Sequence, residues 1–235
     1  KLADISKLSV KAFAGLTATQ IGAFTTDNTD ALDATRLATL TAKQTVGFAA
    51  ESLAPEKIAM LNPKAVSGLT DAFIKAIGED DIPTAFTVDQ VKALSTTQIK
   101  AFSPEQLEKF NDLQTAALSA TQVVALGENV KSLADISKLD VKAFAGLTAE
   151  QIGSFVAEDT ASLGVTHLGA LNAKQVAGFK AESLTSAQTA MIGTKAVAGL
   201  TTDFIAGIKT DEMETALTKD QIKVLSTNQI KALTP

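Results

Sequence analysis

The chain has 235 residues, a net charge of −5, one histidine and no cysteine, tryptophan or tyrosine. Without cysteine it has neither disulfides nor thiolate metal sites, and with no basic surface and a lone Arg36 it is not expected to gather phosphates or read bases. No apolar run approaches the length of a bilayer span, and the N-terminus lacks the basic-then-apolar layout of a signal peptide, so membrane insertion is not expected either.

Along the chain, large apolar anchors recur every eighth residue. They fall at Leu8, Leu16, Phe24, Leu32, Leu40 and Phe48, then at Leu53, Leu61, Leu69 and Ile77, then from Phe86 through Leu94, Phe102, Phe110 and Leu118 to Leu126. Two irregular steps interrupt the run, a short one from Phe48 to Leu53 and a long one from Ile77 to Phe86. After a passage through Gly127 to Lys138 the pattern restarts at Leu139, and both steps return, from Phe179 to Leu184 and from Ile208 to Leu217.

The octapeptides are therefore nested in a larger repeat: Leu2 maps to Leu133, Phe13 to Phe144, Met60 to Met191, Phe73 to Phe204 and Gln98 to Gln229. Defects copied at matching places are features, and they are expected to turn or rephase the coil. Residues 1–131 form the first large repeat and 132–235 a second, incomplete copy. The sequence starts and stops inside the pattern, as an excerpt from a longer tandem protein would.

Within a unit, counting the anchor as position zero, position one is nearly always Ser, Thr, Asn or Asp and position four is usually Gln. This spacing predicts a capping box, in which the position-one oxygen accepts from the N–H of position four and the Gln side chain accepts from the N–H of position one. Pro55, Pro63, Pro104 and Pro235 stand at position two, the first helical residue, where a missing N–H does no harm; Pro83, in the long step, does not. Positions zero and five are both apolar, as in Leu16 with Ile21, and predict a hydrophobic staple. Small residues at positions six and seven permit close packing.

Each unit is expected to form one helix of about six or seven residues, too short to be stable alone. Stacking must stabilise it, through anchors contributing about 1.5–3 kcal/mol each when buried. The predicted fold is all-α, a solenoid or superhelix of very short helices with nearest-neighbour contacts.

Few residues suggest chemistry. His167 and its equivalent Arg36 occupy position four, and an outward polar site explains both; one histidine makes neither a metal cluster nor a nucleophile–base pair. Glu79, Asp80 and Asp81 in the long step are calcium candidates, with a solvated turn as the simpler reading, and Asp27, Asp30 and Asp33 are not kept as a ligand set in the second copy. The phenylalanines read as core, except that Phe73 and Phe204 fill the Gln slot and are candidates for contacts between units, turns or chains. No catalytic residue and no cofactor is expected.

Units such as Leu16-Thr-Ala-Thr-Gln-Ile-Gly-Ala-Phe24, Leu94-Ser-Thr-Thr-Gln-Ile-Lys-Ala-Phe102 and Leu147-Thr-Ala-Glu-Gln-Ile-Gly-Ser-Phe155 resemble the LTxxQ octapeptide arrays of large bacterial cell-surface and adhesin-like proteins. The resemblance covers almost the whole chain. It implies a secreted or cell-surface stalk, fibre or self-assembling layer component without an active site, whose partners are neighbouring repeats and other copies of itself. A cytoplasmic solenoid that binds a protein partner is the alternative.

Overall fold

The computed structural model describes residues 5–233, and these are all-helical, built from many short α-helices and 3-10 turns with no strand among them. The α-helices run from four residues, as in Ala18–Ile21, to seven, in Ala120–Leu126. Most are shorter than the sequence spacing predicts because their last turn tightens. After Val10–Phe13, for example, Gly15 N–H bonds Ala12 O and Leu16 N–H bonds Phe13 O, i to i+3 bonds that end the helix at the next anchor.

The predicted helix starts are present. At all twelve glutamines the side-chain Oε1 accepts from the N-cap N–H three residues earlier, for instance 2.9 Å at Ser95–Gln98 and 3.0 Å at Thr148–Gln151. The N-cap oxygen returns the bond at every one except Gln44, where the Thr41 hydroxyl instead donates to Gln44 Oε1 at 2.8 Å. Pro55, Pro63 and Pro104 each open a helix, Pro83 is the second residue of Ile82–Ala85, and Pro235 lies outside the described residues. The staple residues Leu16, Ile21, Leu94 and Ile99 are buried.

Contacts gather into two compact units, Lys1–Leu118 and Ser119–Pro235. The division falls at an ordinary octapeptide junction rather than at residue 131, where the sequence duplication begins again. Inside each unit a helix packs on the third helix along the chain. In the first, Ala18–Ile21 packs on Ala42–Thr45, Asp71–Ala76 on Thr96–Ala101 and Val88–Ala93 on Asp112–Ala117; in the second, Ala149–Gly153 packs on Ala173–Val176 and Thr202–Ala206 on Thr227–Ala232. In these pairs three octapeptides complete one circuit, and across the short step Ala42–Thr45 packs instead on Pro63–Val66 and Ala173–Val176 on Thr194–Val197.

The irregular steps have different local forms in the two units. The short step passes through Glu51, a non-glycine residue with φ of 63°, in the first unit, and through the 3-10 turn Ala181–Ser183 in the second. The long step is a 3-10 turn followed at once by an α-helix in both: Glu79–Asp81 with Ile82–Ala85, and Thr210–Glu212 with Met213–Ala216. Small residues let circuits approach. A Cβ added at Gly68 would stand 1.9 Å from Ala42 O, and one at Gly199 1.9 Å from Ala173 O.

Candidate functional site

Position four is where the chain concentrates its polar chemistry, and it faces inward. The Oε1 of each glutamine is committed to its own helix start, which leaves the amide Nε2 with two hydrogens. In Gln98 these go to Val66 O and Leu69 O, both at 2.8 Å, in the corner one circuit earlier. Val66 ends one short helix and Leu69 precedes the cap of the next, so both carbonyls are among those a helix terminus leaves without an intrahelical partner. One side chain therefore starts its own helix and closes the end of another.

The arrangement recurs in both units. Gln44 donates to Ala14 O and Leu16 O, Gln90 to Ile58 O and Leu61 O, and Gln106 to Ile74 O and Ile77 O. In the second unit Gln151 reaches Val123 O and Gly127 O, Gln175 Ala145 O and Leu147 O, and Gln229 Val197 O and Leu200 O. Apart from Gln20, which lies in the first circuit and is exposed, the glutamines are buried, Gln98 and Gln151 at 3% exposure.

Residues that break the consensus keep the task. Lys57, standing where the second copy has Gln188, donates from Nζ to Asp30 O at 2.9 Å and Leu32 O at 2.7 Å, and Gln188 reaches Thr160 O and Leu163 O. Arg36 donates from Nε and Nη2 to Leu8 O, and His167 Nε2 lies 3.1 Å from Leu139 O. The outward reading of Arg36 and His167 is therefore overturned. Both are half-buried and turned to the previous circuit, and the imidazole also meets the Phe144 ring at 5.0 Å, edge to face. Where its occupant carries a donor on a reaching side chain, position four is a bonding slot.

A second set of bonds joins circuits at Thr29, Thr45 and Thr160, where Thr replaces the apolar staple at position five. Thr29 Oγ1 donates to Ser52 O at 2.6 Å and Thr45 Oγ1 to Ala65 O at 2.6 Å, and Thr160 Oγ1 donates to Ser183 O. Sequence reasoning passed over these residues. The available signal was a hydroxyl at a position otherwise apolar.

Phe73 and Phe204 are buried at 1% and 2% exposure, which removes them as contacts to another chain. Phe73 lies 6.5 Å from the Phe48 ring, inside its own unit. Each lines a cleft between the short and the long step, at equivalent places in the two units. The cleft at Phe73 holds about 180 Å³ and is bounded by Leu53, Pro55, Ile58 and Ile77; the one at Phe204 holds about 850 Å³ and is bounded by Leu184, Ser186, Thr189 and Ile208. Ser186 and Thr189 replace the bulkier Pro55 and Ile58, which widens the second cleft. Its rim groups satisfy one another. The Ser186 hydroxyl donates to Glu212, whose other oxygen accepts from Lys209 Nζ at 3.0 Å. The serine bond first, then the lysine bond, holds the Glu212 carboxyl below its ordinary range.

The calcium candidates Glu79, Asp80 and Asp81 are not drawn together. Asp80 turns to Lys109 Nζ at 2.6 Å, a hydrogen bond that raises the lysine's pKa, and among the described residues no three His, Cys, Asp or Glu side chains converge as a metal site would require. Asp33 caps its own helix at Arg36 N–H and pairs with the Arg36 guanidinium. No helix among the described residues is long and apolar enough to cross a membrane. No family model matches the chain, and no curated protein matches it.

Proposed function

We propose that the chain is a non-catalytic structural repeat segment of a bacterial surface protein, serving as a stalk, fibre or layer spacer. The observation that carries this reading is the use of position four. Its amides, and the Lys, Arg and His that replace them, are committed to backbone carbonyls of the preceding circuit, so the repeated polar chemistry holds the chain's own coil in register. Its contribution is geometric: repeat number sets reach, and the two irregular steps set the local path.

The test is made on cells expressing the native protein. Antibodies raised against this chain should label the surface of intact cells, and the epitope should be lost on protease shaving. Labelling only after permeabilisation would overturn the surface reading and favour an intracellular scaffold.

A further inference from the structure

The cleft at Phe204 has an internal control. Its counterpart at Phe73 is built from equivalent positions of the first copy, yet holds about 180 Å³ against about 850 Å³, and pockets that enclose small molecules span roughly 300–1,000 Å³. Only the second falls in that range. The following circuit does not account for the difference: Pro104–Glu108 packs on Glu79–Asp81 but takes no part in the wall of the first cleft. The walls themselves differ. Ala54, Pro55 and Ile58 of the first copy are replaced by Thr185, Ser186 and Thr189, and Gly78 by Lys209. Apolar bulk has given way to hydroxyls and an ion pair, over a floor kept as Leu184, Phe204 and Ile208. No cross-circuit glutamine lines the cleft, so its walls can vary without loosening the coil.

The hydroxyls decide which ligand chemistry fits. Each of the four on the wall donates its hydrogen inside the protein: Thr185 Oγ1 to Gln188 Oε1 at 3.1 Å, Ser186 Oγ to Glu212, Thr189 Oγ1 to Thr185 O at 3.1 Å and Thr215 Oγ1 to Glu212 O at 2.8 Å. What remains to them is lone pairs. Two carboxylates, Glu182 and Glu212, stand on the same wall against one lining cation, Lys209, whose side chain is 74% exposed and holds Glu212 only as a surface ion pair does. A cleft of acceptors with net negative charge suits a cationic donor, and it leaves an anion without a partner.

We propose that this cleft binds a small organic ammonium ion with an apolar body, the body lying against Leu184 and Ile208 and the ammonium taking the place of Lys209 Nζ at Glu212. The site goes beyond the structural role of the coil. It stands on the geometry of the second unit alone, so its failure would leave the surface-labelling test untouched, and an intracellular location would leave the site in place.

The experiment is an NMR titration of the whole 235-residue chain with phenethylammonium, phenethyl alcohol and hydrocinnamate, three probes of similar shape that differ in head group. Phenethylammonium is expected to shift the amide signals of Ser186, Thr189 and Ile208 saturably, the alcohol to bind about tenfold more weakly, and the carboxylate to give no saturable shift. Two variants locate the site. Glu212→Gln should weaken the ammonium about tenfold, and Ser186→Pro with Thr189→Ile, the residues that the first copy carries there, should abolish its binding while melting shows a folded chain. The probe series is read on the native chain, so the proposal stays testable if a variant does not fold. Alcohol and ammonium binding equally well, no saturable shift at the cleft with the ammonium, or undiminished binding by the folded, filled variant would each overturn it.

Discussion

Gln98 Nε2 stands 2.8 Å from Leu69 O across the gap between two circuits, while the same side chain's Oε1 accepts from Ser95 N–H at 2.9 Å. A capping box alone is indifferent to Glu or Gln, because both accept equally well. The cross-circuit bond is not. Gln98→Glu is expected to destabilise the protein strongly at neutral pH, by about 3 kcal/mol or more, since it loses two donors and sets a carboxylate against two buried carbonyls. Part of that loss should return as the acid is protonated. Denaturant unfolding of Gln98→Glu at pH 7 and pH 4 measures both effects, and equal stability to the native chain at pH 7 would reduce Gln98 to a cap.

Gln20→Ala serves as the contrast within the same motif. It removes a box whose amide meets no carbonyl among the described residues, so the cost should stay near 1 kcal/mol, against roughly 2–4 kcal/mol for Gln98→Ala, which also takes a donor from Val66 O, left with Leu69 N–H, and strands Leu69 O. The comparison of the two melts isolates the cross-circuit contribution. Similar losses would show that the bonds to Val66 O and Leu69 O add nothing.

His167→Gln should be neutral or stabilising by up to about 1 kcal/mol. Its cap residue Gly164 has no side-chain partner, and a glutamine there can accept from Gly164 N–H while donating toward Leu139 O, where the imidazole now reaches at 3.1 Å. A fall in melting temperature of several degrees would mean that the Phe144 edge contact outweighs the bonding slot.

At Gly68 the space for a side chain is already occupied by backbone, the built Cβ falling 1.9 Å from Ala42 O, whereas at Gly15 the nearest atom is 3.4 Å away. Gly68→Ala is expected to push the two circuits apart and cost about 2–4 kcal/mol, in the range of overpacked or strained cores. Gly15→Ala should be tolerated. Paired melting curves decide it.

The Glu212 carboxyl is held low by Ser186 and then Lys209. A depressed folded-state pKa contributes stability that is present above the unfolded-state value and lost as pH falls through the folded one. Ser186→Ala should therefore raise the Glu212 titration midpoint, as followed by NMR, and remove part of the acid sensitivity of the second unit. An unmoved midpoint would place the cause elsewhere.

Much of the local structure was legible because it is written within eight residues. Thr17 and Gln20 specify a helix start, Pro104 the first helical residue, and Leu94 with Ile99 the staple, each through contacts that close inside one unit. What lies behind Gln98 is another matter. Its partners are 29 and 32 residues earlier, and that distance depends on how many helices make a circuit, which no single octapeptide encodes. Arg36 and His167 were read outward for the same reason: a polar residue at a repeated position faces water unless the previous circuit is known to offer it a carbonyl. Phe73 stands out in the sequence as an exception in the Gln slot, but the cleft it lines is formed where the short and long steps meet, and these lie apart in sequence.

The bonding slot also bears on how such a sequence can change length. Any octapeptide's donor is suited to any corner, because the partners are main-chain carbonyls that every sequence possesses. Gain or loss of whole octapeptides would hand each donor a chemically equivalent corner, and a departure from eight is absorbed as well: Gln98 reaches Val66 O and Leu69 O across the nine-residue step from Ile77 to Phe86. The spacing such a coil tolerates is therefore set by the reach of one donor side chain rather than by a strict count of residues.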